Sequence, residues 1–310
     1  MNKTAAYLTG ILLLFSGGKI CAQEVITPLA GNPGLAAYNK SVKPGMKAAL
    51  ADSLELPFFE DFSTSRVEPD PSLWSDRDAF INNNYCINPV SNGVATLDAI
   101  DSRGSIYARA TLDPHSFSAD QLTSHPIKLS YLPGDSLYLS FLYQAGGLGD
   151  LPEEQDSLLL DFYSVSDTAW ITVWRTAGTD MHPFKTVMIP ITEERYLTNG
   201  FMFRFRNMAS LPRNNDYLDK RANVDHWNVD YIRLDRNRFA ADTILRDVAF
   251  NTGITSVLED LTSLPWSHFE DARENVFDDK VRVRYRNNDS ISRNLTRSLL
   301  IEEPLYNESY

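Results

Sequence analysis

The chain of 310 residues carries a formal net charge of −12, with 43% hydrophobic and 11% aromatic residues. Such acidity, without any basic stripe, argues against nucleic acid as a partner, because the phosphate backbone is itself anionic. The apolar content supports a sizeable buried core, so the chain reads as folded rather than disordered.

Residues 1–22 read as a cleaved secretory signal. Lys3 precedes an apolar run through Phe15 that is too short to span a bilayer, and small residues follow up to Cys21 and Ala22. Cleavage after Ala22 is preferred to lipidation of Cys21, since Lys19 puts a charge where lipidation sites want small apolar residues. Removal of this segment takes away Lys3 and Lys19 and no acid, moving the formal charge from −12 to −14. No other apolar stretch is long enough to cross a membrane, so the mature chain is expected to be exported. One cysteine then remains, Cys86, expected as a small buried hydrophobe, and the fold must be held by burial rather than by a disulfide.

Residues 23–54, with Pro and Gly breakers in TPLAGNPGLAAYNKSVKPGMK, read as an irregular lead-in. From LPFFEDFS onward the chain shows short runs of alternating polarity. A turn of helix is expected in SLWSDRDAFINNN, with Trp74 and Phe80 as staples. Then SLYLSFLY (136–143) puts Leu137, Leu139, Phe141 and Tyr143 on one face, and DSLLLDFYS (156–164) does the same with Leu158, Leu160 and Phe162. WITVWR and FKTVMIPI continue the pattern. In GFMFRFRNM, Phe201, Phe203 and Phe205 oppose Met202, Arg204 and Arg206, one face buried and one wet.

DHWNVDYIRLD (225–235) reads as the closing strand. Trp227, Val229 and Tyr231 share one face, Ile232 and Leu234 continue on the other, and Asp225 and His226 stand at the mouth as turn residues. Several strands without intervening helices, and without an internal repeat, predict an all-β fold. The expectation is a jelly-roll β-sandwich over residues 55–236. Residues 237–310 are expected to begin a second, immunoglobulin-like β-sandwich, incomplete here, with KVRVRYR (280–286) as a strand placing Val281, Val283 and Tyr285 inward.

No catalytic signature is present: no Gly-x-Ser-x-Gly elbow, no His-Glu-x-x-His pair, no Gly-rich phosphate loop and no paired carboxylates at glycosidase spacing on a strand. His115, His125, His182, His226 and His268 are scattered singly, which argues against zinc. The five tryptophans, Trp74, Trp170, Trp174, Trp227 and Trp266, read as core before ligand platform, with Trp170 and Trp174 sharing a strand parity.

Calcium is the favoured chemistry among metals, since carboxylates on a flexible backbone are the hard oxygen ligands it takes. Two groups are candidates. If the first and last strands pair, Glu60 and Asp61 approach Asp230, either around a structural calcium or as carboxylates that pin turn backbone. The loop GGLGDLPEEQDS gathers Asp150, Glu153, Glu154 and Asp156, a weaker calcium candidate that an ordinary solvated acidic turn also explains.

LPFFEDFS, INPVSNGVATLDAID, ADQLTS, LSFLYQAGGLGDLPEEQDSLLLDFY, FRFRN and HWNVDYIRLD, in this order, resemble the amino-terminal β-sandwich of large exported Bacteroidetes proteins linked to type IX secretion and gliding motility. That sandwich is in turn similar to MAM, cleaved-adhesin and carbohydrate-binding jelly rolls. The resemblance implies export to the cell surface, or to the periplasm as second choice. It also implies a non-enzymatic role in adhesion, surface architecture or the motility and secretion apparatus, with envelope proteins or surface glycans as partners. The alternative is a carbohydrate-binding module of a polysaccharide-degrading system, and a hydrolase or lyase is more distant. The sorting domain of such cargo does not occur in these 310 residues, so the expectation is either a piece of a longer protein or a protein retained in the envelope by other means.

Overall fold

The computed structural model describes residues 31–41, 53–212, 223–272, 275–296, 298, 302–303 and 308–309. The signal segment of residues 1–22 lies outside the described residues. Part of the lead-in departs from the expectation of irregularity, because Pro33–Ser41 forms helix α1. Asn32 caps it by accepting from the Leu35 amide (3.1 Å), and Pro33 follows at the first helical position. The Asn-Pro pair that reads as a breaker is therefore a helix start. Asn39 donates to the Ser102 carbonyl (2.7 Å) and buried Leu35 packs beneath, so the helix docks on the body.

The body is the expected all-β sandwich. One sheet runs β2 (Phe80–Asn82), β3 (Val94–Leu97), β11 (Trp227–Asp235), β6 (Leu137–Ala145) and β9 (Lys185–Ile191). Strand β1 (Phe58–Glu60) pairs with β11 beyond the end of β3, so the first and last strands of the sandwich do meet. The other sheet runs β4 (Phe117–Thr123), β10 (Asn199–Ala209), β7 (Leu158–Ser164) and β8 (Ala169–Thr176), with β5 (Ile127–Lys128) also on β10. Pairing between these strands is antiparallel throughout, and from β8 onward the chain alternates between sheets, the crossing pattern of a jelly roll.

The core lies where the inner faces meet. Phe203 packs edge-on against Phe58 and Trp74, Phe205 against Phe141, and Phe162 against Phe201, with ring centroids 4.8–5.7 Å apart. Edge-to-face contacts add to the area each ring buries, so truncating one of these side chains to Ala costs about 3–5 kcal/mol. Trp74 is buried and donates to Glu60, held by a turn at Asp70 rather than by the helical turn expected there.

Two bulges correct the strand parities read from the sequence. Between Asp230 and Arg233 the register of β11 on β6 shifts, and Tyr231 takes a left-handed φ of 51°. The extra residue returns Ile232 and Leu234 to the same core as Trp227 and Val229, while Tyr231 turns outward onto Phe59. A second shift, in the β7–β8 pairing, separates the two tryptophans of β8. Trp174 faces Phe141 and Tyr143 inside, and Trp170 lies opposite Tyr163 outside.

Beyond β11, Arg238 is buried against Ser140 (2.7 Å) and Asp242 (2.8 Å), pinning residues 236–242 to the sheet. Further on, β12 (Val248–Phe250) pairs with β13 (Tyr285–Asn287), Trp266–Ala272 forms helix α2, and β14 (Glu302–Glu303) pairs with β15 (Glu308–Ser309). The strand over 280–286 is thus shorter than its alternation predicts. Val281, Val283 and Tyr285 stay exposed, and an alternating run holds as a strand only where a second layer covers its apolar face.

Candidate functional site

Strand β6 ends beside the start of β11, with Ala145 opposite Trp227, so the loop leaving β6 must meet the residues that enter β11. His226 makes that meeting rigid. Its amide donates to the Asp150 carbonyl (3.1 Å), and its Nδ1 accepts from the Asp150 amide (3.0 Å). The neutral ring therefore carries its proton on Nε2, on the side of Asp98 Oδ2, 3.9 Å away. Burial pushes the His226 pKa down to about 4, so the ring stays neutral. Gly149 is required where the loop crosses this ring, since a Cβ there would lie 2.4 Å from the His226 Cγ.

On this scaffold Glu153, Asp156 and Asp225 each bring one carboxylate oxygen within 4.8 Å of the others, the one such group among the described residues. Asp156 and Asp225 have no exposed surface, whereas Glu153 is exposed. Ser210 binds both buried acids: its amide donates to Asp225 Oδ2 (2.8 Å) and its hydroxyl to Asp156 Oδ2 (2.6 Å). The Oδ1 atoms of Asp156 and Asp225 have no hydrogen-bond partner. Burial first, then the nearby carboxylates of Glu153 and Asp156, push the Asp225 pKa to about 10, and burial raises Asp156. Two ionised carboxylates at 4.8 Å repel by about 3 kcal/mol at an effective dielectric constant of about 20. Asp225 holds a left-handed φ of 57°, a conformation that Asp tolerates better than most residues.

The structure divides the acidic loop expected from sequence. Glu153 and Asp156 join the cluster, Asp150 serves through its backbone, and Glu154 is exposed without a bond to the others. Asp225, read from sequence as a turn residue, is the missing third member. The adjacency of β6 and β11 is the signal that points to it, because a loop after one strand reaches the entry of its antiparallel neighbour.

The other expected acids flank the β1–β11 pairing, Asp230 opposite in parity to core Val229 on β11 and Glu60 on the Phe58 side of β1. Asp230 accepts from Ser91 Oγ at both oxygens (3.0 and 2.9 Å) and from the Tyr231 amide (2.6 Å), fixing the bulge. Glu60 accepts from the Phe62 amide (2.7 Å) and from Trp74 Nε1 (3.3 Å), and Asp61 accepts from Ser63. Burial first, then the charges of Asp61 and Glu60, raise the Asp230 pKa well above the usual carboxylate range. These contacts are those of carboxylates that pin a turn and a bulge. Cys86, also buried, has its thiol pushed up to about 12 by burial and by the charge of Asp230.

The outward face of the second sheet has a different character. Asp161, buried at its centre, accepts from Arg204 Nε (2.9 Å), Arg206 Nε (2.7 Å) and Thr172 Oγ1 (2.7 Å). Burial alone would raise its pKa, but Arg206, Thr172 and Arg204 outweigh it and hold the carboxyl below its ordinary value. Arg204 also lies 4.4 Å from the Trp170 ring centroid, and Trp170 packs on Tyr163 at 5.2 Å. The result is a prearranged patch of guanidinium and aromatic groups on rigid strands.

Neither a protein-family profile nor a curated protein sequence matches the chain. Among solved structures, a cleaved adhesin domain of Lys-gingipain from Porphyromonas gingivalis aligns over 59% of this chain and 99% of its own, at 11% identity and a TM-score of 0.37. The CBM22-1 xylan-binding domain of Xyn10C from Paenibacillus barcinonensis aligns over 61% of this chain and 100% of its own, at 7% identity and a TM-score of 0.30. At that distance neither bears on the site, and the sandwich rests on this chain's own strand pairing. No described helix is long and apolar enough to cross a membrane.

Proposed function

We propose that the chain is a non-enzymatic binding module, exported to the cell surface, where it serves adhesion or surface architecture within an envelope assembly. The observation that carries this reading is the outward face of β4–β10–β7–β8. There Trp170, Tyr163, Arg204 and Arg206 are fixed around Asp161 before any ligand arrives. Groups ordered in advance lose little entropy on binding, which is what a contact surface needs. Hydroxyl-rich and carboxylate-bearing partners match it: guanidinium groups donate in planar pairs, and aromatic rings cover sugar faces. The resemblance of the ordered motifs to exported Bacteroidetes proteins supports the surface setting, including a place in a secretion or gliding apparatus.

The convergent acids at Glu153, Asp156 and Asp225 do not favour an enzyme reading. Two of them are fully buried, and the neighbouring histidine's Nδ1 already accepts a hydrogen bond from the Asp150 amide, so exposed Glu153 has no second free base poised beside it. The test is retention of the protein by a panel of insoluble polysaccharides and envelope fractions, with wild type beside Trp170→Ala/Arg204→Ala. Retention by at least one fraction, weakened about tenfold or more in the variant, supports the proposal. Retention by a polysaccharide makes the ligand a glycan. Equal retention of both proteins, or retention by no fraction, refutes the assigned face.

A further inference from the structure

We propose that Glu153, Asp156 and Asp225 form a binding site for a calcium ion that fastens the β6–β7 loop to the entry of β11 and to the end of β10. The inference is independent of the ligand face. It rests on two observations: three carboxylate oxygens converge from two distant segments, and two of the three residues, wholly buried, keep an oxygen without any partner. Buried polar atoms are almost always paired, so two orphaned oxygens in one cluster mark a place for a positive group.

Among the described residues no Lys, Arg or His forms an ion pair with these acids. Ser210 occupies only the second oxygen of each buried acid, which orients the Oδ1 atoms and leaves them free to coordinate. The ligands are all hard oxygens, which excludes the thiolate and imidazole sets that zinc and copper prefer. Exposed Glu153 provides the route of entry and leaves room for water in the coordination sphere. Calcium fits better than magnesium because the set is irregular. Its members come from a turn, a strand entry and a left-handed residue, and calcium tolerates variable geometry where magnesium demands an octahedron.

Trp227 makes the site observable. Its indole Nε1 donates to the Asp156 carbonyl (3.2 Å), close enough to sensitise terbium bound in place of calcium. Metal-stripped protein titrated with Tb3+ is expected to show saturable, tryptophan-sensitised emission that calcium displaces and magnesium displaces far less. Glu153→Gln, at an exposed position, and Asp225→Asn, which keeps a residue tolerant of left-handed φ, are each expected to weaken terbium affinity at least tenfold. Both should retain the wild-type far-ultraviolet circular dichroism. Asp230→Asn serves as the contrast and should bind as wild type does. Absence of sensitised emission together with absence of a calcium-dependent rise in Tm overturns the site. So does unchanged affinity in Glu153→Gln, or a loss confined to Asp230→Asn.

Discussion

Replacing Asp161 by Asn removes the single carboxylate on which Arg204 and Arg206 converge. The side chain is buried and accepts three bonds of 2.7–2.9 Å, two of them from charged donors. Breaking a buried charged contact costs about 3–5 kcal/mol. The two arginine side chains are 20% and 21% exposed, so water recovers part of that, leaving about 2–3 kcal/mol. For a sandwich of this size the loss corresponds to a fall in Tm of about 5–10 °C. Urea denaturation should show a lower midpoint with an unchanged slope, and a double-mutant cycle with Arg206→Met should give a coupling of about 1–2 kcal/mol. Because the folded carboxyl titrates below its ordinary value, its contribution is present above pH 3.8 and is lost as the pH falls through the folded value. The gap between wild type and Asp161→Asn should therefore close in acid. A cost under about 0.5 kcal/mol, or no coupling to Arg206, would refute the view that this face is held by a central carboxylate.

Asp98, fully enclosed by burial, has its pKa raised from 3.8 to about 7, so it contributes stability below pH 3.8 that is lost as the pH rises towards 7. In Asp98→Asn the stability should fall by up to about 4 kcal/mol less over that interval than in wild type; parallel curves from chemical denaturation at graded pH would count against it. The Cys86 thiol, buried and raised to about 12, should react with a thiol reagent in the native protein orders of magnitude more slowly than in urea; rapid native labelling would contradict its placement. Deleting Tyr231 takes out the one extra residue, so regular alternation alone carries Ile232 and Leu234 on the face of Trp227 and Val229, and the product should keep cooperative unfolding; loss of a native-like transition would show that Tyr231 does more than offset the register.

The strands were legible because their inner faces are aromatic at every second position, as in Phe201, Phe203 and Phe205, and the sandwich follows from that alternation. What alternation cannot reveal is where one residue is inserted. The bulge at Tyr231 brought Ile232 and Leu234 back to the core face, and the one in β8 put Trp170 on the face opposite Trp174. The helix over Pro33–Ser41 was hidden because Asn and Pro serve both turns and helix starts, and docking against the Ser102 loop decides between them. Two of the three acids in the cluster were visible as a local run, Glu153 and Asp156. Asp225 was not, because only strand adjacency brings residues that far apart together.

The central claim, that the chain binds through the outward face of its second sheet, is tested most directly by amide hydrogen exchange of the protein with and without the fraction that retains it. Slowed exchange in peptides covering 159–163, 169–176 and 202–208, with β2, β3 and β1 unchanged, is the predicted footprint. Protection confined to the opposite sheet, or none on β7, β8 and β10, would contradict it.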